Sequence, residues 1–404
     1  MRILMSCYAC LPNRGSEPGV GWHWAQMMSA SHDVWVLTRS WQEEEIEKAL
    51  RVSPNPNLHF IYLDLPTWFP RRNHRSAIAK LHYVLWQFVA LRRAREYDRV
   101  LDFDLVHHVT FNGIDVPGLL YRLGKPFVLG PLGGGQVTPS VLLSEFGRRR
   151  YAESLKSFRK RHVRLIPGVK RAIRSAAFVF VANEDTEIIV RQIRQDGVVR
   201  LLEAGRPLPN APKQTPREGG SINLVWIGEL IPRKAPSIAV DSLRRAVSRG
   251  IAATLTVIGS GPLYTELAQK NSDLIESGHL RLLGSQSHDD VLTYLTQSDA
   301  LLFTSLNDTS GNVILEAMEH CLPVIALNHQ GAAEILDDHC ALLIPIERRE
   351  AVVEAIALAI CELAWNSSRR EQMGIEGRNR LERLFTWERK APLVNNIYAQ
   401  SSRT

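Results

Sequence analysis

The chain has 404 residues, more than one hydrophobic core usually organises, so two domains are the expectation. Its residues are 45% hydrophobic and 23% charged, which excludes a largely disordered chain. A formal charge of +7 favours an anionic partner and leaves nucleic acid, an acidic membrane surface and phosphorylated small molecules open.

The N-terminus, MRILMSCYACLPNRG, carries Arg2 before a short apolar stretch that runs into a turn. That is too short for a signal peptide and lacks a small-residue cleavage pattern. Nowhere do about 18 apolar residues run without charge, so no spanning helix and a cytoplasmic location are expected. Cys7 and Cys10 form a C-x-x-C where the first apolar run ends. No second pair stands at zinc-like spacing, so reduced thiols near a buried strand end are expected rather than a redox or metal site.

Short apolar runs then alternate with helix-length segments, the pattern of parallel sheets in α/β domains. Strands are expected near Ile3–Met5, Val34–Leu37, His59–Tyr62, Leu105–Val109, Phe127–Leu129 and Phe178–Val181. A second set falls near Leu224–Ile227, Leu255–Ile258, Leu280–Leu283, Leu301–Thr304, Val324–Ala326 and Leu342–Ile344. Each set suits its own doubly wound unit. Between them, GRPLPNAPKQTPREGG is too rich in Pro and Gly for helix or strand and reads as a linker. The expected division is therefore 1–205, a linker 206–220, 221–383, and a terminal helical piece 384–404.

Two segments are unusually basic. Pro70–Arg99 mixes Arg71, Arg72, Arg75, Lys80, Arg92, Arg93 and Arg95 with Ile78, Leu81, Leu85 and Phe88 at helical spacing. Arg148–Arg174 sets eleven Lys and Arg against Glu153 alone. Such runs suit either solvated faces or a basic amphipathic surface on anionic lipid, with Trp68, Phe69 and Phe158 available for shallow insertion. No aromatic-interleaved pattern accompanies them, so nucleic acid is not expected.

The chemistry concentrates in NDTSGNVILEAMEHCLPVIA, Asn307 to Ala326. A strand, a Ser-Gly turn and an apolar helix in that order would point the amides of Ser310, Gly311, Asn312 and Val313 outward, a ready diphosphate site. Asp308 and Glu316 flank the turn, and their carboxylates suit sugar hydroxyls. The same spacing also suits a capping Asp and a solvated helical Glu. In WIGELIPRKAP, Arg233 and Lys234 fall on a loop after a strand, where cations meet phosphate. VIGSGP places Gly259 on a turn after the next strand.

In this order the pieces resemble the nucleotide-sugar domain of the retaining glycosyltransferase family 4. The match runs through WIGELIPRKAP, VIGSGP, LRLLGSQSHDDVLTYLTQSDALLFTSL and NDTSGNVILEAMEHCLPVIALNHQGAAEIL. The resemblance implies the GT-B fold: α/β, two facing Rossmann-like doubly wound domains with a cleft between them. It implies that Asp308 holds donor-sugar hydroxyls, Glu316 the ribose and Lys234 the diphosphate, with Gly259 and Leu283 lining the donor site. The family's E-x7-E reads D-x7-E here, and Glu229 stands where an Arg often follows the strand glycine.

The first half matches less fully. RGSEPGVGW resembles the family's glycine-containing loop, with Gly15 and Ser16 on the donor side and Glu17 toward the acceptor. DLVHHV resembles a D-x-x-H-x-H strand end, making His107 a catalytic candidate beside Asp308 and Lys234, and His108 an acceptor-side one. In KPFVLGPLGGGQ, Leu132 replaces a family His, and Gly133, Gly134 and Gly135 offer either close approach to the acceptor or a flexible crossover.

The expectation is a hexosyltransferase that moves a sugar from a nucleoside-diphosphate donor to an acceptor hydroxyl with retention, with no cofactor and no bound metal. The expected acceptor is a sugar, a lipid-linked sugar or a small molecule, with the anionic inner face of a membrane as a further partner. The alternatives are a nucleotide-sugar-binding protein without activity and an epimerase or phosphorylase of the same fold. A Rossmann dehydrogenase is disfavoured, because no G-x-G-x-x-G follows the first strand.

Overall fold

The structure, a computed structural model, describes residues 1–12, 14–66, 76–111, 113–207 and 220–402. Trp68, Phe69 and the arginines at 71, 72 and 75 lie outside the described residues, as does most of the expected linker. The chain forms two compact units. One comprises Met1–Gly135, Arg159–Gly205 and Trp387–Thr404, and the other Gln136–Phe158 and Arg206–Thr386.

The first unit holds seven strands: β1 (Arg2–Ser6), β2 (Asp33–Arg39), β3 (Leu58–Leu63), β4 (Leu105–His108), β5 (Phe127–Leu132), β6 (Phe178–Val181) and β7 (Val198–Arg200). They pair in parallel in the order β3-β2-β1-β4-β5-β6-β7. The strand β7 was not expected from the sequence. It is three residues at a sheet edge, half exposed, and so lacks the apolar run that marks a doubly covered strand. The helix Trp387–Ser401 packs on the helix Ser16–Ser29 in this unit. Lys390 Nζ donates to the carbonyls of Leu202, at 2.5 Å, and Ala204.

The second unit holds β8 (Ser221–Ile227), β9 (Ala252–Ile258), β10 (Leu280–Gly284), β11 (Ala300–Phe303), β12 (Val324–Leu327) and β13 (Ala341–Ile344). All are parallel, in the order β10-β9-β8-β11-β12-β13. Its core runs from Leu224 and Trp226 on β8 to Ile356 and Ile360 on the helix Arg349–Trp365. Two stretches placed elsewhere by sequence join this unit. Arg206, expected in the linker, donates its amide to the Phe385 carbonyl at 3.0 Å. Gln136–Phe158, expected in the first domain, is held partly by Glu145, whose carboxylate pairs with Arg349 at 2.6 Å. No single described helix is long and apolar enough to cross a membrane. Cys7 and Cys10 are free and buried, and burial pushes both thiols up.

Candidate active site

In the second unit the chain lays β9 and β10 to one side of β8, and β11 to β13 to the other. The order therefore switches between β8 and β11, where diverging loops leave a crevice at the strands' carboxyl ends. The two loops at that point carry Arg233 and Lys234 after β8, and Asn307 to Gly311 after β11.

The loops are tied together by backbone and buried hydroxyl. Leu306 N donates to the Arg233 carbonyl at 2.7 Å. Thr304 Oγ1 donates to the carbonyls of Lys234 and Ala235, at 2.9 and 3.0 Å, and accepts from Trp226 Nε1 at 3.0 Å. These bonds hold Ala235 in the left-handed region, at φ 45°, just before the helix Pro236–Ser248. Such a conformation costs a Cβ-bearing residue of order 1 kcal/mol and persists only when its surroundings enforce it.

Lys234 Nζ is paired with Asp308 Oδ2, and Arg233 Nη1 stands 4.0 Å from Asp308 Oδ1. The side chains of Lys234 and Asp308 are only 16% and 19% exposed, so this pair is shielded from solvent. The residue expected to hold sugar hydroxyls is thus the counter-ion of the lysine expected to hold phosphate. Spacing alone did not indicate this, because 74 residues separate the two.

Beyond Asp308 the chain enters the helix Asn312–Glu319 through Gly311, at φ 73°. A Cβ on Gly311 would lie 2.9 Å from Phe303 Cζ, so both conformation and space require glycine. First-turn amides of a helix have no carbonyl of their own helix to meet, and they face an anion favourably. Glu316 lies a turn inside and is buried, which excludes the solvated reading. Arg206 reaches Glu316 Oε1 at 3.5 Å and Glu319 Oε2 at 2.6 Å. Burial pushes the Glu316 carboxyl up, and Arg206 opposes that shift. Gly259, at φ 141°, brings the loop after β9 against the Gly228 carbonyl, where a Cβ would sit at 1.8 Å. Leu283 is half-buried on β10, with its carbonyl accepting from Gln286 at 2.8 Å, and Glu229 is exposed.

Sequence reasoning missed the residues that grip this turn from the segment after Gly135. Gln136 Nε2 donates to Thr309 Oγ1 at 2.8 Å. Gln330 accepts from the Asp308 amide at 3.1 Å and donates to the Val137 carbonyl at 2.7 Å. Thr138 Oγ1 accepts from Asn307 at 3.5 Å and donates to Glu153 at 2.9 Å. A Gln or Thr in a loop has no local signature for such a role. Gln330→Ala is expected to cost about 1–3 kcal/mol by removing both bonds, and to lower turnover more than free-nucleotide affinity. Urea unfolding and steady-state kinetics check this. An unchanged turnover number would leave Gln330 a purely structural residue.

In the first unit the order switches between β1 and β4. Gly15 precedes the helix that Ser16 opens, and Glu17 accepts from the Phe111 amide of the loop after β4. Gly133 accepts from the Ile114 amide at 2.9 Å, and the Gly135 amide donates to Thr186 at 3.1 Å. Both are buried and Gly134 is half-buried. Leu132 is fully buried.

The two histidines require a correction. His107 and His108 are both 0% exposed, so neither has a face for substrate. A carbonyl only accepts, so His107 Nε2 carries its proton toward Gly130, at 2.8 Å, and Nδ1 accepts from Tyr398 at 2.5 Å. His108 Nε2 lies 3.1 Å from the Tyr83 hydroxyl. Both belong to core packing at the end of β4. Burial lowers His107 from 6.5 to about 3 and His108 to about 4. As pH falls below 6.5 the unfolded chain therefore takes up protons that the folded chain refuses. Stability is expected to drop by up to about 1.4 kcal/mol per pH unit for each histidine. Equal urea-unfolding free energies near neutrality and at pH about 5 would contradict this.

Among the described residues, no group of three or more His, Cys, Asp or Glu stands together as a metal site requires. Residues 221–362 match the family described as Glycosyl transferases group 1. An uncharacterized glycosyltransferase of Methanocaldococcus jannaschii is 28% identical over 182 residues, 44% of this chain and 48% of its own length. A GDP-mannose-dependent monoacylated alpha-(1-6)-phosphatidylinositol monomannoside mannosyltransferase of Corynebacterium glutamicum is 25% identical over 181 residues, 43% of this chain and 46% of its own. The chain thus matches about half the length of these curated relatives. Among solved structures, Anabaena HepE in complex with UDP matches 99% of both chains at 14% identity, with a TM-score of 0.63. The chain has the GT-B fold of two parallel α/β sheets, and its residues 221–362 match the glycosyl transferases group 1 family.

Proposed function

We propose that this protein is a retaining hexosyltransferase of family 4 type, moving a sugar from a nucleoside-diphosphate donor to an acceptor hydroxyl in polysaccharide, glycolipid or glycoside synthesis. The observation that carries this reading is the meeting of Arg233, Lys234 and the Asn312 helix start at the switch point between β8 and β11. Departure of a nucleoside diphosphate develops negative charge on its β-phosphate. Cations and helix amides aimed at that charge stabilise it without reorganising. The Lys234–Asp308 pair supports an exchange of partners on donor binding. The diphosphate takes the lysine, and the released Asp308 carboxylate accepts hydrogen bonds from the donor sugar. Glu316, with Arg206 favouring its charged form, accepts from the ribose.

This reading involves no metal ion, since protein cations supply the charge. The base remains open between the GDP named for the mannosyltransferase relative and the UDP of the HepE complex. The acceptor is a sugar, a lipid-linked sugar or a small molecule, and the site of action is the cytoplasmic side, with peripheral membrane contact. Melting with UDP-, GDP- and ADP-sugars tests the donor, because a ligand at 100 times its Kd stabilises by about 2.7 kcal/mol. Acceptor-dependent release of nucleoside diphosphate then tests transfer. Donor binding with no release over a broad acceptor panel favours a nucleotide-sugar-binding protein, the alternative that exposed Glu229 and buried Leu132 support. No stabilisation by any donor overturns both.

A further inference from the structure

The second unit contains a cavity of about 1000 Å³ that Lys234, Asp308 and Glu316 do not line. One wall is a face of the helix Pro236–Ser248, where Ser237, Asp241 and Arg244 recur at i, i+4 and i+7. The helix Tyr264–Lys270 forms a second wall through Glu266, Leu267 and Lys270. The stretch Ser140–Arg149 closes the third side. Leu142 fixes that stretch in the core of the unit, and Phe146 packs against the same core. Gly147, at φ 50°, then turns the chain, and Phe146 and Arg148 both line the cavity.

The charges on these walls come in pairs, with a remainder. Glu145 accepts from Arg349 at 2.6 Å and from the Ser237 hydroxyl, and Arg349 also holds Asp241. Arg244 pairs with Asp273 and donates to the buried Asn271 at 3.0 Å. Lys270 pairs with Glu266 at 2.5 Å. Every carboxylate on the lining is thereby neutralised within the walls. Arg148 and Arg149 line the same space, are exposed, and have no carboxylate partner among the described residues. Two surplus guanidinium forks at the rim of a cavity suit an anion with several acceptor oxygens, and phosphate meets such a fork bidentately. Pro236 and Ser237 put the start of their helix on the lining, and its positive end adds to the same field.

Volume and apolar lining define the rest of the ligand. Phosphate alone would fill a small part of this space, which matches the upper end of small-molecule sites. Phe146, Pro232, Pro262 and Leu263 present apolar surface beside the cations, as the body of a ring compound requires. We propose that this cavity is an effector site for a phosphorylated ring compound, a sugar phosphate or a nucleotide. Its influence on the donor loop follows from the lining. Pro232 and Pro236 bracket Arg233 and Lys234, so a ligand lodged against both prolines bears on the turn that carries the donor cations. Occupancy of the cavity is independent of sugar transfer, whereas its action on the loop rests on the donor reading above.

Calorimetry with glucose 6-phosphate and with AMP tests the site, with glucose and inorganic phosphate as comparisons. One of the two phosphorylated compounds is expected to bind roughly tenfold or more tightly than either comparison, and which one binds tells sugar phosphate from nucleotide. Arg148→Gln with Arg149→Gln is expected to weaken that binding roughly tenfold or more while melting at the wild-type temperature, because both side chains are exposed. Lys234→Ala is expected to leave it unchanged, which separates the cavity from the donor site. Saturation with the same ligand is expected to shift the affinity for nucleoside diphosphate severalfold, and the shift must be reciprocal. Binding of neither compound, equal binding of inorganic phosphate, or a loss that follows Lys234→Ala rather than the arginine variant overturns the site. An unshifted nucleoside-diphosphate affinity with the cavity filled overturns the effector role. Should no nucleoside diphosphate bind, the donor reading fails together with the effector role, and the calorimetry alone decides the cavity.

Discussion

Lys234→Ala is expected to weaken nucleotide-sugar binding at least tenfold and to lower turnover further. A charge-assisted hydrogen bond to phosphate contributes about 1.5–3 kcal/mol, which alone accounts for a factor of ten to more than a hundred. The structure adds a second effect. Removing the lysine leaves Asp308, only 19% exposed, without its principal counter-ion and facing the incoming diphosphate. Repulsion then joins the lost attraction. Removing both partners, in Lys234→Ala with Asp308→Ala, should restore part of the affinity of the single variant for free nucleoside diphosphate. Calorimetry over this double-mutant cycle measures the coupling directly. Additive losses would mean that the pair acts as two separate groups. Wild-type affinity in Lys234→Ala would remove the lysine from the site.

The second large effect is a division of labour between the two carboxylates. Glu316→Ala is expected to weaken free nucleotide and intact donor alike, by roughly ten- to hundredfold, because its assigned partner is ribose. Asp308→Ala should spare the free nucleotide, or tighten it, since the released Lys234 gains freedom to meet phosphate. Its cost should appear as slower turnover of the intact donor. Glu316→Gln is the control: it preserves volume and one acceptor oxygen beside Arg206, so it should lose less than the alanine variant. Equal, proportionate losses of nucleotide and donor affinity in the two alanine variants would refute separate sugar and ribose roles.

Much of this site was legible before the fold was known, for a local reason. Strand ends such as Ile227 and Phe303 close apolar runs, and the turn-forming residues that follow, Gly228 and Pro232 in one case and Asn307 to Gly311 in the other, interrupt regular structure. Residues after those ends fall at the carboxyl edge of a parallel sheet, so the position of Arg233, Lys234, Asp308 and Ser310 at that edge follows from the order of the runs alone. His107 and His108 were misjudged by the same logic. Proximity to a strand end does not reveal whether a ring points to solvent or into the packing formed by Tyr83 and Tyr398.

The sequence by itself determined the two parallel sheets, because strands covered on both faces must be nearly continuous apolar runs, and such runs are visible without context. It also determined the loops that bear the cations and carboxylates. The tertiary structure alone decided which charges meet: Lys234 with Asp308, Arg206 with Glu316 and Glu319, and Gln136 with Thr309 across 173 positions. It also decided that the helix Arg150–Arg161 turns Glu153 inward. Periodicity encodes that a helix has an apolar face, but the direction of that face depends on what packs against its other side. Here a buried Glu153 bonded to Thr138 holds the polar face inward, through residues whose pairing no local pattern records.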